Sequence, residues 1–324
     1  GHGQLSCATC HVDARFDRLA WDLGNPAGDT ATVLLNQLGA FVTNEFHPMK
    51  GAMLTQTLQD IIGHEPFHWR GDRADLAAFN PAFTHLQGRP ELLTDAELAE
   101  LQDFLASVRL PPNPFRDLNN ALPTSLPLPG HVASGLGPLP AGAPLPNGNA
   151  QAGITAFNRA ANFCNTCHTL PTGLGPDLFT NGAHHFPVSV RFEGSLRAKN
   201  AQFRNLADRL GMDGSSTSSR AGFGFGHDGS VDTLTRFLAG LRIVDDQETA
   251  DLIALLLATS GADISTPGGV PDSTPPAAVG RQVTIDSTVP TSAHAGLLAS
   301  VFTLAASATN RVDLIAKATV HGGP

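Results

Sequence analysis

Four cysteines occur in the chain, and all four lie in two copies of one pentapeptide, Cys7-Ala8-Thr9-Cys10-His11 and Cys164-Asn165-Thr166-Cys167-His168. Two thiols three positions apart, followed at once by an imidazole, form the signature of covalent haem attachment. The thiols reach two vinyl groups on one porphyrin edge, and the His reaches the iron from one face. Cys7, Cys10, Cys164 and Cys167 are therefore expected to carry two covalently bound haem c groups, with His11 and His168 as proximal iron ligands. A zinc ribbon would need its C-x-x-C pairs roughly 15–20 residues apart, whereas Cys10 and Cys164 are 154 positions apart. A thioredoxin-like dithiol accounts for one C-x-x-C, not for two that each precede a His. No Cys is left over for a disulfide framework.

The sixth iron ligand decides the chemistry, because two strong axial ligands suit electron transfer while an open position admits peroxide or oxygen. For the first haem the best candidate is His47, in a His-Pro turn ahead of a helix expected over about Leu54 to Ile62; Met49, Met53, His64 and His68 are the alternatives. For the second haem, Met212 and His227 compete. Met212 ends an expected Arg-Asn-Leu-Ala-Asp-Arg-Leu helix and opens a Gly/Ser loop, while His227 lies in a Gly-rich turn. A Met ligand would raise the potential of the second haem relative to a bis-His first haem. His184-His185 could bind metal, although adjacent loop His residues are more often simply exposed. Arg191, Arg197 and Arg204 surround the second motif, and one or two of them are expected to pair with haem propionates.

The elements that must position these residues read as one architecture used twice. Near the end of the first half, Thr94-Asp95-Ala96-Glu97 is a capping box, opening a helix with Leu98, Leu101, Leu105 and Val108 on one face and stopped by Pro111-Pro112. In the second half Asp245 caps, Glu248 follows three later, and Leu252, Ile253, Leu255 and Leu256 run toward Gly261. Ahead of each helix lies a His-containing turn, 67–72 and 226–230. A helix from Ala152 to Phe163 leads into the second haem motif, while six residues precede Cys7, so the first pocket reads as open on one side, to be covered by further polypeptide or by a partner chain. Leu122 to Asn149 and Thr266 to Ala278 are rich in Pro and Gly and read as linkers, the first packed along a surface. The tail suggests short strands at Arg281–Ile285 and Val312–Ala316 around an apolar helix, Ala293 to Ala308.

The expected fold is therefore mainly α, with two tandem cytochrome c-like haem domains with long loops (1–121 and 151–264), a Pro/Gly-rich linker (122–150) and a linker plus small α/β or β extension (265–324). The 324 residues include 33 Gly and 24 Pro, which foretells much loop. The formal net charge is −9, with Lys only at positions 50, 199 and 317; this disfavours nucleic acid and anionic membrane surfaces as partners. No apolar run approaches a membrane span. Gly1-His2-Gly3-Gln4 does not read as a secretory signal, yet haem c is attached outside the bacterial cytoplasm, so a periplasmic or cell-surface location is expected, the signal being removed or lying outside this sequence.

The segment Phe203-Arg204-Asn205-Leu206, followed by Gly224-Phe225-Gly226-His227-Asp228-Gly229-Ser230-Val231-Asp232-Thr233-Leu234, resembles the "L-R-N … F-H-D-G-x-V-x-T-L" stretch of the bacterial di-haem cytochrome c peroxidase superfamily. His47-Pro48-Met49-Lys50-Gly51, Thr55-Gln56-Thr57-Leu58 and Trp69-Arg70-Gly71-Asp72-Arg73 extend the resemblance into the first half. It implies a distal role for His47 and a Trp between the haems at Trp69. Two departures point away from peroxidase activity: residues 74–81 show no counterpart of the family's peroxide-pocket Glu, and Leu241 stands where the family places a Met or Tyr ligand. The favoured expectation is a di-haem electron carrier that meets redox partner proteins, as a homo-oligomer or unit of a larger assembly; the alternative is a peroxidase reducing hydrogen peroxide with electrons from a small donor protein.

Overall fold

A computed structural model describes residues 5–21, 31–37, 40–46, 53–69, 73–259 and 277–318, apart from 129, 134, 163, 171–172, 174–184, 187–197, 205, 211–223, 228, 230, 242, 244, 287, 289 and 308–311. Within these the regular structure is mainly helical: α1 Cys7–Cys10, α2 Asn80–His85, α3 Asp95–Ser107, α4 Ala150–Phe157, α5 Cys164–Cys167, α6 Leu234–Gly240, α7 Asp246–Ala258 and α8 Ala295–Ala305. Strands pair only two at a time: β1 (Ala20–Trp21) with β4 (Met53–Leu54), β2 (Ala31–Gln37) with β3 (Ala40–Phe46), and β5 (His185–Phe186) with β6 (Ala198–Lys199), all antiparallel. None of the described helices is long and apolar enough to cross a membrane.

The two capped helices form as their sequences dictate. Thr94 Oγ1 accepts from the Glu97 N–H at 3.3 Å and Glu97 Oε2 from the Thr94 N–H at 2.8 Å, and the Asp245 carboxylate accepts from the Glu248 N–H at 2.7 Å. These bonds satisfy amides that a helix start leaves without intrahelical partners. α7 is the centre of the molecule: every residue from Leu252 to Ala258 is buried. Its last carbonyls are held from outside the helix, Leu257 O by the Asn113 side chain at 2.8 Å and Ala258 O by Arg116 Nε at 2.6 Å. A guanidinium at a helix C-terminus also faces the negative end of the dipole.

α4 crosses α7 at close range. A Cβ on Gly153 would collide with the Asp251 carbonyl oxygen and come within 2.8 Å of Leu255 Cβ, and one on Gly148 would collide with Ala250 O. The helix begins two residues before its expected start, because the Asn149 side chain accepts from the Gln151 and Ala152 amides, each at 3.0 Å. It stops six residues early, where Asn158 Nδ2 takes Ile154 O at 3.0 Å and a 3-10 turn, Ala160–Asn162, follows. Side-chain amides that compete for backbone partners are effective helix terminators.

Several other expectations are corrected. The Pro/Gly-rich segment does not merely lie along a surface: Leu128, Val132 and Leu145 enter the same buried cluster as Leu252 and Leu255. It folds back through bridges Leu126–Gly148 and His131–Pro144, and the carboxylates of Asp246 and Asp251 accept from the Leu139 and Asn149 amides at 2.7 and 2.8 Å. Residues 53–62 form no helix. Their amides bond to distant carbonyls, Leu54 to His227, Thr55 to Leu19, Leu58 to Ala14 and Asp60 to Val108, so tertiary pairing overrides local preference. The expected helix through Arg204 is a 3-10 turn, Leu206–Arg209. The tail segments 281–285 and 312–316 form no strand, and Ile315 is 86% exposed. The hairpin β2–β3 was not anticipated; its strands Ala31–Gln37 and Ala40–Phe46 are two residues apart in sequence.

Candidate haem sites

Each C-x-x-C makes a single helical turn that places its two thiols on one side and its His just beyond. His11 N–H donates to Cys7 O at 2.8 Å, and His168 N–H to Cys164 O at 2.9 Å. In the first copy the Ser6 N–H also donates to Thr9 Oγ1 at 3.1 Å, closing the start of the turn. All four thiols are free. Burial, with the nearby Asp17 and Cys7, pushes the Cys10 thiol up; burial does the same for Cys164, with Glu248 adding to it, and for Cys167. Redox-active dithiols depend on depressed thiol pKa values, and the surroundings of Cys10, Cys164 and Cys167 act in the opposite direction.

Both motif imidazoles are anchored alike. His11 Nδ1 bonds to Gln56 O at 2.7 Å and His168 Nδ1 to Gly173 O at 2.5 Å. A carbonyl can only accept, so Nδ1 carries the proton and Nε2 keeps its lone pair. Burial lowers the pKa of both rings and favours the neutral form. A neutral, Nδ1-anchored imidazole is the arrangement that orients Nε2 toward a metal. The donor set, two free thiols with one such imidazole on each copy, fits covalently held haem. The carbonyls of Gln56 and Gly173, which anchor these two rings, were not foreseen from the sequence. Gly173, with φ +76°, is held against the Phe203 ring, where a Cβ would clash. Phe203 in turn stacks on His168 with centroids 4.5 Å apart and meets Phe157 edge-on at 5.9 Å.

Between the halves lies a pair of matched turns. One is closed by the bridge Phe67–Arg73 and the other by Phe225–Val231, every position shifted by 158 residues. The left-handed residue after each Phe also matches, His68 (φ +65°) and Gly226 (φ +84°). The next residues, Trp69 and His227, are thus structural equivalents, and their rings pack together at 5.4 Å. Trp69 is buried, donates from Nε1 to Leu54 O at 2.7 Å, and carries the Arg209 guanidinium 5.1 Å from its ring centre. Desolvation lowers the Arg209 pKa to about 10. The duplication visible in sequence therefore meets itself at Trp69 and His227.

Arg204 is one of the three Arg residues expected around the second motif. Its guanidinium, 3% exposed, pairs with Asp60 of the first half at 2.8 Å and with Gln202 Oε1 at 2.7 Å, so it ties the halves together and its donors are engaged within the protein. Arg15 and Asp208 add a second link at 3.5 Å. His64 and His68 diverge: His64 lies 3.9 Å from Asp60, and His68 packs edge-on against Phe79 at 4.8 Å. Among the described residues no group of three or more His, Cys, Asp or Glu side chains is placed to hold a metal ion by itself. Leu241 sits exposed at the end of α6. Met53 is in β4; His47, Met49, Met212, His184, Arg191 and Arg197 lie outside the described residues, as does the His185 side chain. Compared with family models, curated proteins and solved structures, the chain matches none.

Proposed function

We propose that the chain is a di-haem c-type cytochrome that carries electrons between redox partners outside the cytoplasm. The observation that carries the reading is the pair of Nδ1-anchored imidazoles, each immediately after two free thiols on one helical turn. The groups, once bound, would supply iron that cycles between ferrous and ferric states. Cys7 and Cys10, and Cys164 and Cys167, would hold the porphyrin edges. His11 and His168 would present Nε2, their rings kept neutral by burial and oriented by Gln56 O and Gly173 O. Phe203 packs against the His168 ring. The junction of Trp69, His227 and Arg209 joins the halves by direct side-chain contact, which suits electron passage through the protein more than substrate entry.

Mass spectrometry of the denatured chain tests the attachment: two covalent haem increments are expected, and none would end the reading. The ferric absorption and EPR spectra test the carrier role. Two low-spin haems are expected; a high-spin haem with peroxide turnover would replace the carrier by the peroxidase.

A further inference from the structure

The two motif imidazoles share an anchor at Nδ1 but differ in their surroundings. A hydrogen bond to a carbonyl fixes one atom of a ring, and carbonyl acceptors tolerate a broad range of approach. The torsion that sets the plane of a His ring is itself broad. The plane therefore needs a second contact. For His168 that contact is Phe203, whose ring lies 4.5 Å away, centroid to centroid, at an interplanar angle of 31°, within the range of favourable offset packing. Among the described residues no aromatic ring packs on His11, whose Nδ1 meets the Gln56 carbonyl at 2.7 Å.

Phe203 is held in turn. Buried Phe157, at the end of α4, meets its ring edge-on at 88° and 5.9 Å. The next residue, Arg204, is tied to Asp60 at 2.8 Å, and the Phe203 carbonyl accepts from the Leu206 amide at 3.2 Å. The ring also closes on Gly173, where a Cβ would strike Phe203 Cγ and Cδ2. Gly173 carries the carbonyl that anchors His168, and its own amide donates to Thr169 O at 2.8 Å. One aromatic side chain thus touches both the imidazole and the residue that anchors it. We propose that Phe203 is a positioning residue, which fixes the plane of the His168 imidazole as that ring faces the iron of the second haem. The assignment rests on the haem reading and deepens it, since groups behind a metal ligand orient the ligand and tune the metal. The plane of an axial imidazole governs the anisotropy of a ferric haem, which its EPR signal reports. Among the described residues the first motif has no aromatic counterpart, so the two haems differ in how firmly this plane is held.

EPR of the ferric, haem-loaded full chain tests this. Mass spectrometry first verifies two covalent haems in the wild type, and their absence ends the haem reading itself. His11→Gly alters or removes the signal of the first haem and so identifies it. Phe203→Leu is expected to shift and broaden the signal of the second haem and to leave that of the first unchanged. Phe203→Tyr keeps the ring and should retain the wild-type signal. Leu206→Val removes buried volume from the same turn and should lower stability with no change in g-values. Phe203→Met, which keeps most of the volume without a ring, replaces Phe203→Leu if that variant fails to load haem. Unchanged g-values without the ring, an equal shift in Leu206→Val or in Phe203→Tyr, or failure of both ringless variants to load haem overturns the assignment while leaving the haem reading intact. A high-spin second haem ends the carrier reading alone, and the same variants are then compared by the rhombic splitting of its signal.

Discussion

Replacing Arg204 with Met probes the joint between the halves. The guanidinium is 3% exposed and lies 2.8 Å from the Asp60 carboxylate, which is 20% exposed. Its desolvation lowers the Arg204 pKa, while Asp60 works to restore it. Removing one partner of a buried pair costs about 3–5 kcal/mol because the other charge is stranded. Here Asp60 keeps Arg109 at 3.7 Å and His64 at 3.9 Å, and Met preserves most of the apolar stem, so about 3 kcal/mol, the lower end of that range, is expected. Asp60→Asn should be less costly, since Arg204 retains the Asp60 carbonyl and Gln202. The double variant should be about 2 kcal/mol more stable than the sum of the single losses predicts, the size of coupling found for residues in one network. Urea unfolding followed by circular dichroism measures all four proteins. Additivity within about 0.5 kcal/mol, or a loss below about 1 kcal/mol for Arg204→Met, would refute the view that this ion pair joins the halves.

Gly153→Ala should cost about 3 kcal/mol in the same assay, the upper range for overpacking, because the obstruction is the α7 backbone at Asp251 and cannot rotate away; a loss under about 1 kcal/mol would mean that α4 does not seat as described. At His68, with φ +65°, Gly should be more stable than Ala by about 1 kcal/mol, since only Gly escapes the left-handed penalty while both lose the Phe79 contact; equal stabilities would contradict that backbone conformation. The Glu97 carboxyl, lowered to about 2 chiefly by the Thr94 amide and then by Arg89, should titrate there by NMR, and Arg89→Gln should raise it. Because the folded pKa is the lower one, the capping contribution is complete above the unfolded pKa, about 4.3, and is lost as pH falls toward 2; a Glu97 titration near the ordinary value would show the capping box to be open in solution.

Local chemistry was legible in the residues themselves. The two C-x-x-C-H turns, the capping box at Thr94 and the Asp245 cap depend on bonds reaching no more than four positions, so spacing alone specifies them. The doubling of the His-containing turns was visible for the same reason. The anchors of the motif His rings were not, because Gln56 lies 45 positions from His11 and backbone carbonyls leave no trace in residue type. Residues 54–62 were misread as helix because their amides find partners on distant carbonyls, and the Pro/Gly-rich stretch was misread as a linker along a surface because its Leu128, Val132 and Leu145 are buried only by α7 and its neighbours. Sequence determined the two thiol pairs, the His after each and the helix caps, all of them short-range features. Tertiary structure decided what distant side chains face, Arg204 turned to Asp60 and Trp69 set against His227, since burial and long-range pairing are properties of the packed chain.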